Sequence, residues 1–153
     1  MGKPKKLRSR KAGLPPGSLV HIGEIKTTKA SFSVIDFDEN GLVQKQLRDA
    51  ASFAAYKQPH ATRWANVYGA HDPADLTTLG GIFGLHPLVQ EDILNNVQRQ
   101  KIDAYDNCLY LVLHRYELSM EPLELSQDQI SLVIGREFVL SFQLDSQGTT
   151  LFC

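Results

Sequence analysis

Cysteine is scarce in this chain of 153 residues, which contains only Cys108, inside an apolar run, and Cys153, at the last position. Two thiols so far apart in sequence fit a reducing compartment better than a fold stabilised by disulfides. Neither cysteine has the neighbouring ligands in sequence that a metal site needs. We therefore expect neither a disulfide scaffold nor a cysteine-based metal centre.

Long apolar runs are absent as well. The longest covers residues 108–113, far short of the ~20 apolar residues that a membrane helix requires. The basic N-terminus leads into Gly13, Pro15 and Pro16 rather than into the apolar core of a signal peptide. We expect the chain as given to be soluble.

The standard catalytic signatures are also missing: there is no GxxxxGK[ST], GxSxG, HExxH or CxxC motif. The glycine-rich stretch 80–84 follows a predicted helix, which indicates a tight helix end rather than a phosphate cradle. The five histidines show no helical metal-binding spacing: His21, His60, His71, His86 and His114. A metal could use His71 beside Asp72, but helix capping explains Asp72 without one. We predict that the protein is not an enzyme.

Acidic residues are missing from the first eleven positions, which carry six Lys or Arg. The remaining 142 residues carry 10 Lys and Arg against 17 Asp and Glu, a net charge of −7. Nucleic-acid binding needs a basic surface that neutralises phosphates, so the acidic body predicts no nucleic-acid partner. We assign residues 1–12 to a basic flexible arm, either a solvated tail or a contact for anionic lipid or RNA.

The rest of the sequence predicts alternating strands and helices. Asp72 and Pro73 are typical of a helix start, and Gly84 of a helix end. Alternating apolar residues predict strands in the last third of the chain. The predicted strands are 19–22, 30–37, 42–47, 62–67, 109–114 and a hairpin over 130–144, and the predicted helices are 50–56, 73–83 and 87–95. This order predicts a single α/β domain with a mixed β-sheet flanked by helices on both faces.

Two adjacent acids, Glu91 and Asp92, lie within the otherwise apolar segment 85–94. Neighbours on a helix diverge by about 100°, so the two carboxylates cannot easily clamp one ion together. Mg²⁺, however, keeps several waters and needs only one or two carboxylates. A second subunit could supply the missing ligand. Asp92 and Glu91 are therefore candidate metal ligands, and the alternative is a solvated helix face with well-placed acids.

Several separated motifs resemble one family in the same order. Residues 85–95, LHPLVQEDILN, and 98–102, QRQKI, closely resemble the pattern of CorA magnesium transporters, with Gln100 where proline is usual. The resemblance extends to GLPPG at 13–17 and to Trp64, Val67, Gly69, Ala70 and His71. It also includes QISLV at 129–133 and FVLSFQ at 138–143. It covers roughly residues 13–143.

The resemblance implies that residues 13–146 form the N-terminal metal-sensing domain of a CorA-like magnesium/cobalt transporter, with 147–153 as the end of this fragment. Members of the family form homopentamers in the inner membrane, with this domain on the cytoplasmic face. The long helix and membrane helices would follow residue 153. Asp92 matches an aspartate at a divalent-ion site between subunits, and Glu91 matches a residue of a second, nearby site.

The implied function is regulation: Mg²⁺, Co²⁺ or another divalent cation binds between subunits and gates the pore. Two alternatives stay open. The same domain serves zinc-transporting siblings, because selectivity resides in the pore. A free-standing binding module or enzyme is the alternative from a different class.

Overall fold

The structure is a computed structural model that describes residues 13–22, 30–69 and 72–143. The predicted basic arm 1–12, the end segment 147–153 and His71 lie outside these ranges. The elements in chain order are β1 Ser31–Asp38, β2 Gly41–Leu47, α1 Ser52–Ala55, β3 Thr62–Tyr68, α2 Pro73–Phe83, α3 Pro87–Ile93, β4 Lys101–Ala104, β5 Cys108–Met120, β6 Leu123–Gly135 and β7 Phe138–Gln143.

The strands form a single seven-stranded sheet in the order β2-β1-β3-β7-β6-β5-β4. Neighbouring strands run antiparallel except for β3 and β7, which pair in parallel with Arg63 opposite Phe138. The predicted mixed sheet and the predicted β1–β2 and β6–β7 hairpins are thus confirmed. The predicted strand 19–22 is reduced to one bridge, from Ile22 to Asn95.

The two longer helices begin as their capping residues predict. The Asp72 carboxylate accepts the Ala74 N–H at 2.8 Å at the start of α2, and Gly84 ends that helix with φ of 65°. At the start of α3, His86 Nδ1 accepts the Leu88 N–H at 3.2 Å. The predicted helix 50–56 is shorter, a single turn at Ser52–Ala55.

The hydrophobic core lies on one face of the sheet. Residues directly opposite one another in the ladder share a face, which places Val34, Ala65 and Leu140 together. These residues form one buried cluster with side chains from each of the described helices, such as Phe53, Leu79 and Val89. The described helices therefore cover this face, which we call the helical face.

The opposite face carries no helix within residues 13–22, 30–69 and 72–143. Large apolar side chains on this open face remain partly exposed: Leu109 at 44%, Leu113 at 40%, Ile134 at 37% and Ile102 at 69%. The chain is accordingly an α/β domain built on a mixed sheet.

Strand β4 was absent from the sequence prediction, and it has a direct effect on the site. It pairs antiparallel with β5, with Lys101 opposite Val112 and Asp103 opposite Tyr110. Val112 and Tyr110 are fully buried in the core under the helices. Lys101 and Asp103 therefore lie on the helical face, at the sheet edge beside α3.

Candidate divalent-cation site

Helix α3 positions the two predicted ligands. Val89 and Ile93, four residues apart on one face of the helix, are buried against the sheet. Pro87 lies in the first helical turn, where a backbone N–H would have no hydrogen-bond partner within the helix. The lack of an N–H on proline therefore costs the helix no hydrogen bond. Glu91 and Asp92 fall between the two buried anchors and are half-buried. The helix thus holds both acids at the boundary between core and solvent.

The Asp92 carboxylate is held at both oxygens. Gln98 Nε2 donates to Asp92 Oδ1 at 2.7 Å, and the same nitrogen donates to the Asp92 backbone carbonyl at 3.1 Å. Lys101 Nζ donates to Asp92 Oδ2 at 2.6 Å. A quarter of the Asp92 side chain stays exposed. The carboxylate is therefore fixed in direction and still open to solvent.

Lys101 is shared between two carboxylates. Its Nζ lies 2.7 Å from Asp103 Oδ2 as well as 2.6 Å from Asp92 Oδ2, and 5.4 Å from the centre of the Tyr110 ring. Burial works to lower the pKa of Lys101, but hydrogen bonds to Asp103 and Asp92 outweigh it and raise that pKa. The ammonium is thus a permanent charge at neutral pH, placed where a bound cation would neutralise the acids.

Glu91 faces a different partner. Its Oε2 accepts the backbone N–H of Gly17, so it is directed toward the segment that starts the described domain. The two adjacent acids have separate partners, as their 100° divergence predicts. Glu91, Asp92 and Asp103 nevertheless line one cavity of about 700 Å³, together with Leu88, Tyr105 and Pro15.

The chemistry of this cavity suits a hard cation. Its carboxylate oxygens are the ligands that Mg²⁺ prefers, and Mg²⁺ needs only one or two of them beside its waters. No group of three His, Cys, Asp or Glu side chains in the described parts of the chain is arranged to hold a metal. The residues present therefore fit part of a magnesium site, and Asp92, a quarter of whose side chain is exposed, is a candidate oxygen ligand on α3.

The structure adds Gln98, Lys101 and Asp103 to the residues predicted from the sequence. Gln98 and Lys101 stood in the motif QRQKI, but their contact with Asp92 depends on the return of the chain through β4. Asp103 carried no motif. Its signal was the two-residue spacing from Lys101, which places both side chains on one face of a strand.

The other candidates from the sequence have structural contacts. His60 pairs with Asp38 at 3.0 Å, and His114 Nε2 lies 3.0 Å from the Gln98 carbonyl. In the glycine-rich stretch, a side chain at Gly80 would collide with Gln90, and Gly84 is the α2 C-cap. The stretch is thus a helix end, as predicted. No described helix combines the length and hydropathy that a bilayer span requires.

Comparisons with known proteins point to one family. The sequence model of the CorA-like Mg²⁺ transporter protein family matches residues 60–149. The cobalt/magnesium transport protein CorA of Thermotoga maritima is 32% identical over 139 residues, which are 91% of this chain and 39% of that protein. The chain thus spans about two fifths of the length of this relative.

Two solved structures share the fold. Full-length CmaX aligns with a TM-score of 0.58 and 13% identity over 80% of this chain and 37% of its own. The complete CorA magnesium transporter from Methanocaldococcus jannaschii aligns with a TM-score of 0.51 and 13% identity, over 78% of this chain and 33% of its own. At this identity the likeness shows the fold alone. Because the family's sequence model matches more than half of its residues, the chain belongs to the CorA-like Mg²⁺ transporter family.

Proposed function

We propose that this domain senses divalent cations on the cytoplasmic face of the inner membrane and regulates a CorA-like transporter. Asp92 is the principal ligand of a Mg²⁺ or Co²⁺ ion held between neighbouring subunits. The observation that carries this proposal is the Asp92 carboxylate itself, one-quarter exposed at a cavity rimmed by two further acids. Residues 13–146 form the sensing domain, and the transporting part follows in the longer protein.

The mechanism uses the charge of the acids. Asp92 lacks a full set of oxygen ligands within the described chain, so an acidic group of the next subunit completes the site in a homopentamer. A cation that binds across this interface stabilises the assembly in which both halves meet. When the cytosolic cation concentration falls, the facing carboxylates repel one another and the ring loosens. Cation occupancy thereby favours the closed state.

Glu91 has a secondary role in this proposal. It binds a second cation beside the Asp92 site, and its contact with Gly17 couples that site to the start of the domain. Glu91 lies on the same cavity as Asp92 and Asp103, which adds negative charge to the cation's surroundings. Its removal should weaken cation binding less than the removal of Asp92.

The longer protein also supplies the second helical layer. We propose that helices of the longer protein cover the open face of the sheet, which completes the predicted arrangement of helices on both faces. The exposure of large apolar side chains supports this cover, because Leu109 and Leu113 stand 44% and 40% exposed on that face. Burying them would stabilise the protein in proportion to the apolar area removed from water.

Limited proteolysis of the full-length protein over a magnesium titration tests the sensing role. Asp92→Asn keeps the shape of the side chain and removes the charge that a hard cation needs. We expect the magnesium midpoint for protection to rise by up to ~100-fold, which corresponds to about 2.7 kcal/mol per site. Asp106→Asn is the matched control, because it removes the same charge from an exposed loop residue. Equal midpoints for wild type and Asp92→Asn would rule out Asp92 as the ligand.

A further inference from the structure

The Asp92 carboxylate, which is proposed to bind the cation, already has a positively charged partner in the same chain. Lys101 Nζ lies 2.6 Å from Asp92 Oδ2, and the other oxygen, Oδ1, is held by Gln98 at 2.7 Å. Inner-sphere coordination of Mg²⁺ requires oxygen lone pairs at about 2.0–2.1 Å. The ammonium therefore lies against one of the two Asp92 oxygens, and a divalent ion at the same oxygen would meet strong repulsion from it.

We propose that Lys101 is a tethered counter-cation that sets the affinity of the Asp92 site by competing with the divalent ion. This inference rests on the proposed function of Asp92. In the cation-free state Lys101 neutralises Asp92. In the cation-bound state the ammonium leaves Asp92 Oδ2 and stays with Asp103. The exchange replaces one charge-assisted contact by another, so the domain remains folded in both states.

Asp103 makes this exchange possible. Its Oδ2 lies 2.7 Å from the same Nζ, so the ammonium keeps a carboxylate partner when it releases Asp92. The lysine side chain is also suited to the movement. It carries a point charge on a flexible stem, whereas an arginine fork would hold one carboxylate with two parallel bonds. About a third of the Lys101 side chain is exposed, which leaves room for the ammonium to shift.

Competition predicts that removal of the lysine charge strengthens cation binding. Lys101→Met keeps the apolar stem over Tyr110 and removes the ammonium. We expect the Mg²⁺ midpoint for protection of the full-length protein to fall roughly fivefold, the factor that corresponds to ~1 kcal/mol for a partly exposed ion pair. Lys101→Arg keeps the positive charge, so it should not lower the midpoint, and a guanidinium that holds Asp92 with two parallel bonds should raise it.

The test is a set of MgCl₂ titrations at constant ionic strength, read by chymotrypsin resistance of full-length protein. Chymotrypsin is chosen because it cleaves mainly after aromatic residues, and none of the substitutions adds or removes one. Methionine is a minor chymotrypsin site, so the magnesium midpoint is compared rather than the rate of cleavage. The variants are Lys101→Met, Asp92→Asn and the double variant, with Lys57→Gln as a control for net charge at an exposed site. Competition at Asp92 requires that Lys101→Met lower the midpoint in the wild-type background and have no effect in the Asp92→Asn background.

Substitution of Asp103 provides an independent test of the proposal. Asp103→Asn leaves the ammonium with Asp92 as its only carboxylate partner, so the midpoint should rise. The rise should be smaller when Lys101 is already Met, because only the loss of the Asp103 charge from the cavity then remains. An equal rise in both backgrounds would overturn the role of Asp103 as the second acceptor. A Lys101→Met midpoint that stays unchanged or rises, while Asp92→Asn shifts it, overturns the role of Lys101 alone. An Asp92→Asn midpoint equal to wild type overturns the site itself.

Discussion

Among the ion pairs of the described residues, Asp36–Arg63 and Asp92–Lys101 have opposite character. Asp36 and Arg63 face each other across β1 and β3 in the sheet, with Arg63 Nε 2.7 Å from Oδ1 and Nη2 3.0 Å from Oδ2. Their side chains are 0% and 6% exposed. Asp92 and Lys101 meet through one contact of 2.6 Å at a cavity, with side chains 25% and 32% exposed. The Asp36–Arg63 pair is therefore enclosed by protein, whereas the Asp92–Lys101 pair is partly exposed to solvent.

The difference separates a structural charge pair from one that can exchange partners. The Arg63 guanidinium binds both oxygens of Asp36, and its Cζ lies 5.0 Å from the centre of the Tyr56 ring. Because the pair is almost completely shielded from water, neither group can take another partner without leaving an uncompensated buried charge. Lys101 already has a second carboxylate in Asp103, and Asp92 faces solvent. An ion pair alone thus does not show whether an aspartate is available to a ligand. The burial of the aspartate and the number of its oxygens held by the basic residue decide this.

The sharpest test of this comparison is Asp36→Asn in the 153-residue chain. The substitution leaves the Arg63 guanidinium buried without a carboxylate, and we expect a loss of about 3–5 kcal/mol in the free energy of unfolding. Urea unfolding followed by the fluorescence of Trp64, the single tryptophan, measures it. Asp38→Asn is the control, because Asp38 is 23% exposed beside His60. A loss below about 1 kcal/mol would place Asp36 in the same class as a surface pair.

Exchanging the basic residue of each pair, arginine for lysine and lysine for arginine, should give effects of intermediate size on stability. Arg63→Lys breaks the bidentate contact and leaves one Asp36 oxygen buried without its donor, so we expect a loss of about 1–3 kcal/mol. Lys101→Arg has space at the cavity edge and should change the free energy of unfolding by less than about 0.5 kcal/mol. Urea midpoints of both variants give the comparison. Equal losses would mean that denticity does not distinguish the pairs.

The sequence predicted much of the fold because its signals were local. Asp72, Pro73 and Gly84 bounded α2 through capping, and the alternation in β6 and β7 predicted their hairpin. The helix at 50–56 was overestimated, because its alanines favour a helix in isolation while tertiary packing allows only Ser52–Ala55. Strand β4 is four residues long with little apolar alternation, and only its pairing with β5 forms it.

In the candidate site, too, some residues could be predicted from local sequence signals and others could not. Glu91 and Asp92 could be selected from the sequence, because two acids in an apolar helix segment are conspicuous and the motif around them resembles a known family. Their partners could not be selected. Lys101 reaches Asp92 from nine residues away only because β4 returns beside α3. The Asp36–Arg63 pair, separated by 27 residues, depends wholly on the β1–β3 register.

The smallest expected effect concerns Asp92 in the 153-residue chain without divalent cations. Asp92→Asn removes the contact with Lys101, but Asp103 retains the ammonium and Gln98 can still donate to the amide oxygen. We therefore expect a loss below about 1 kcal/mol in the free energy of unfolding. Added salt should reduce even this loss, because the screening length falls from about 10 Å at 0.1 M to about 3 Å at 1 M ionic strength, close to the separation of the pair. Urea unfolding with EDTA, at low and high NaCl, measures both quantities for comparison with Asp36→Asn under the same conditions. A loss of about 3 kcal/mol that does not change with salt would make Asp92 a structural residue like Asp36. The proposal that Asp92 is a cation ligand would then be wrong.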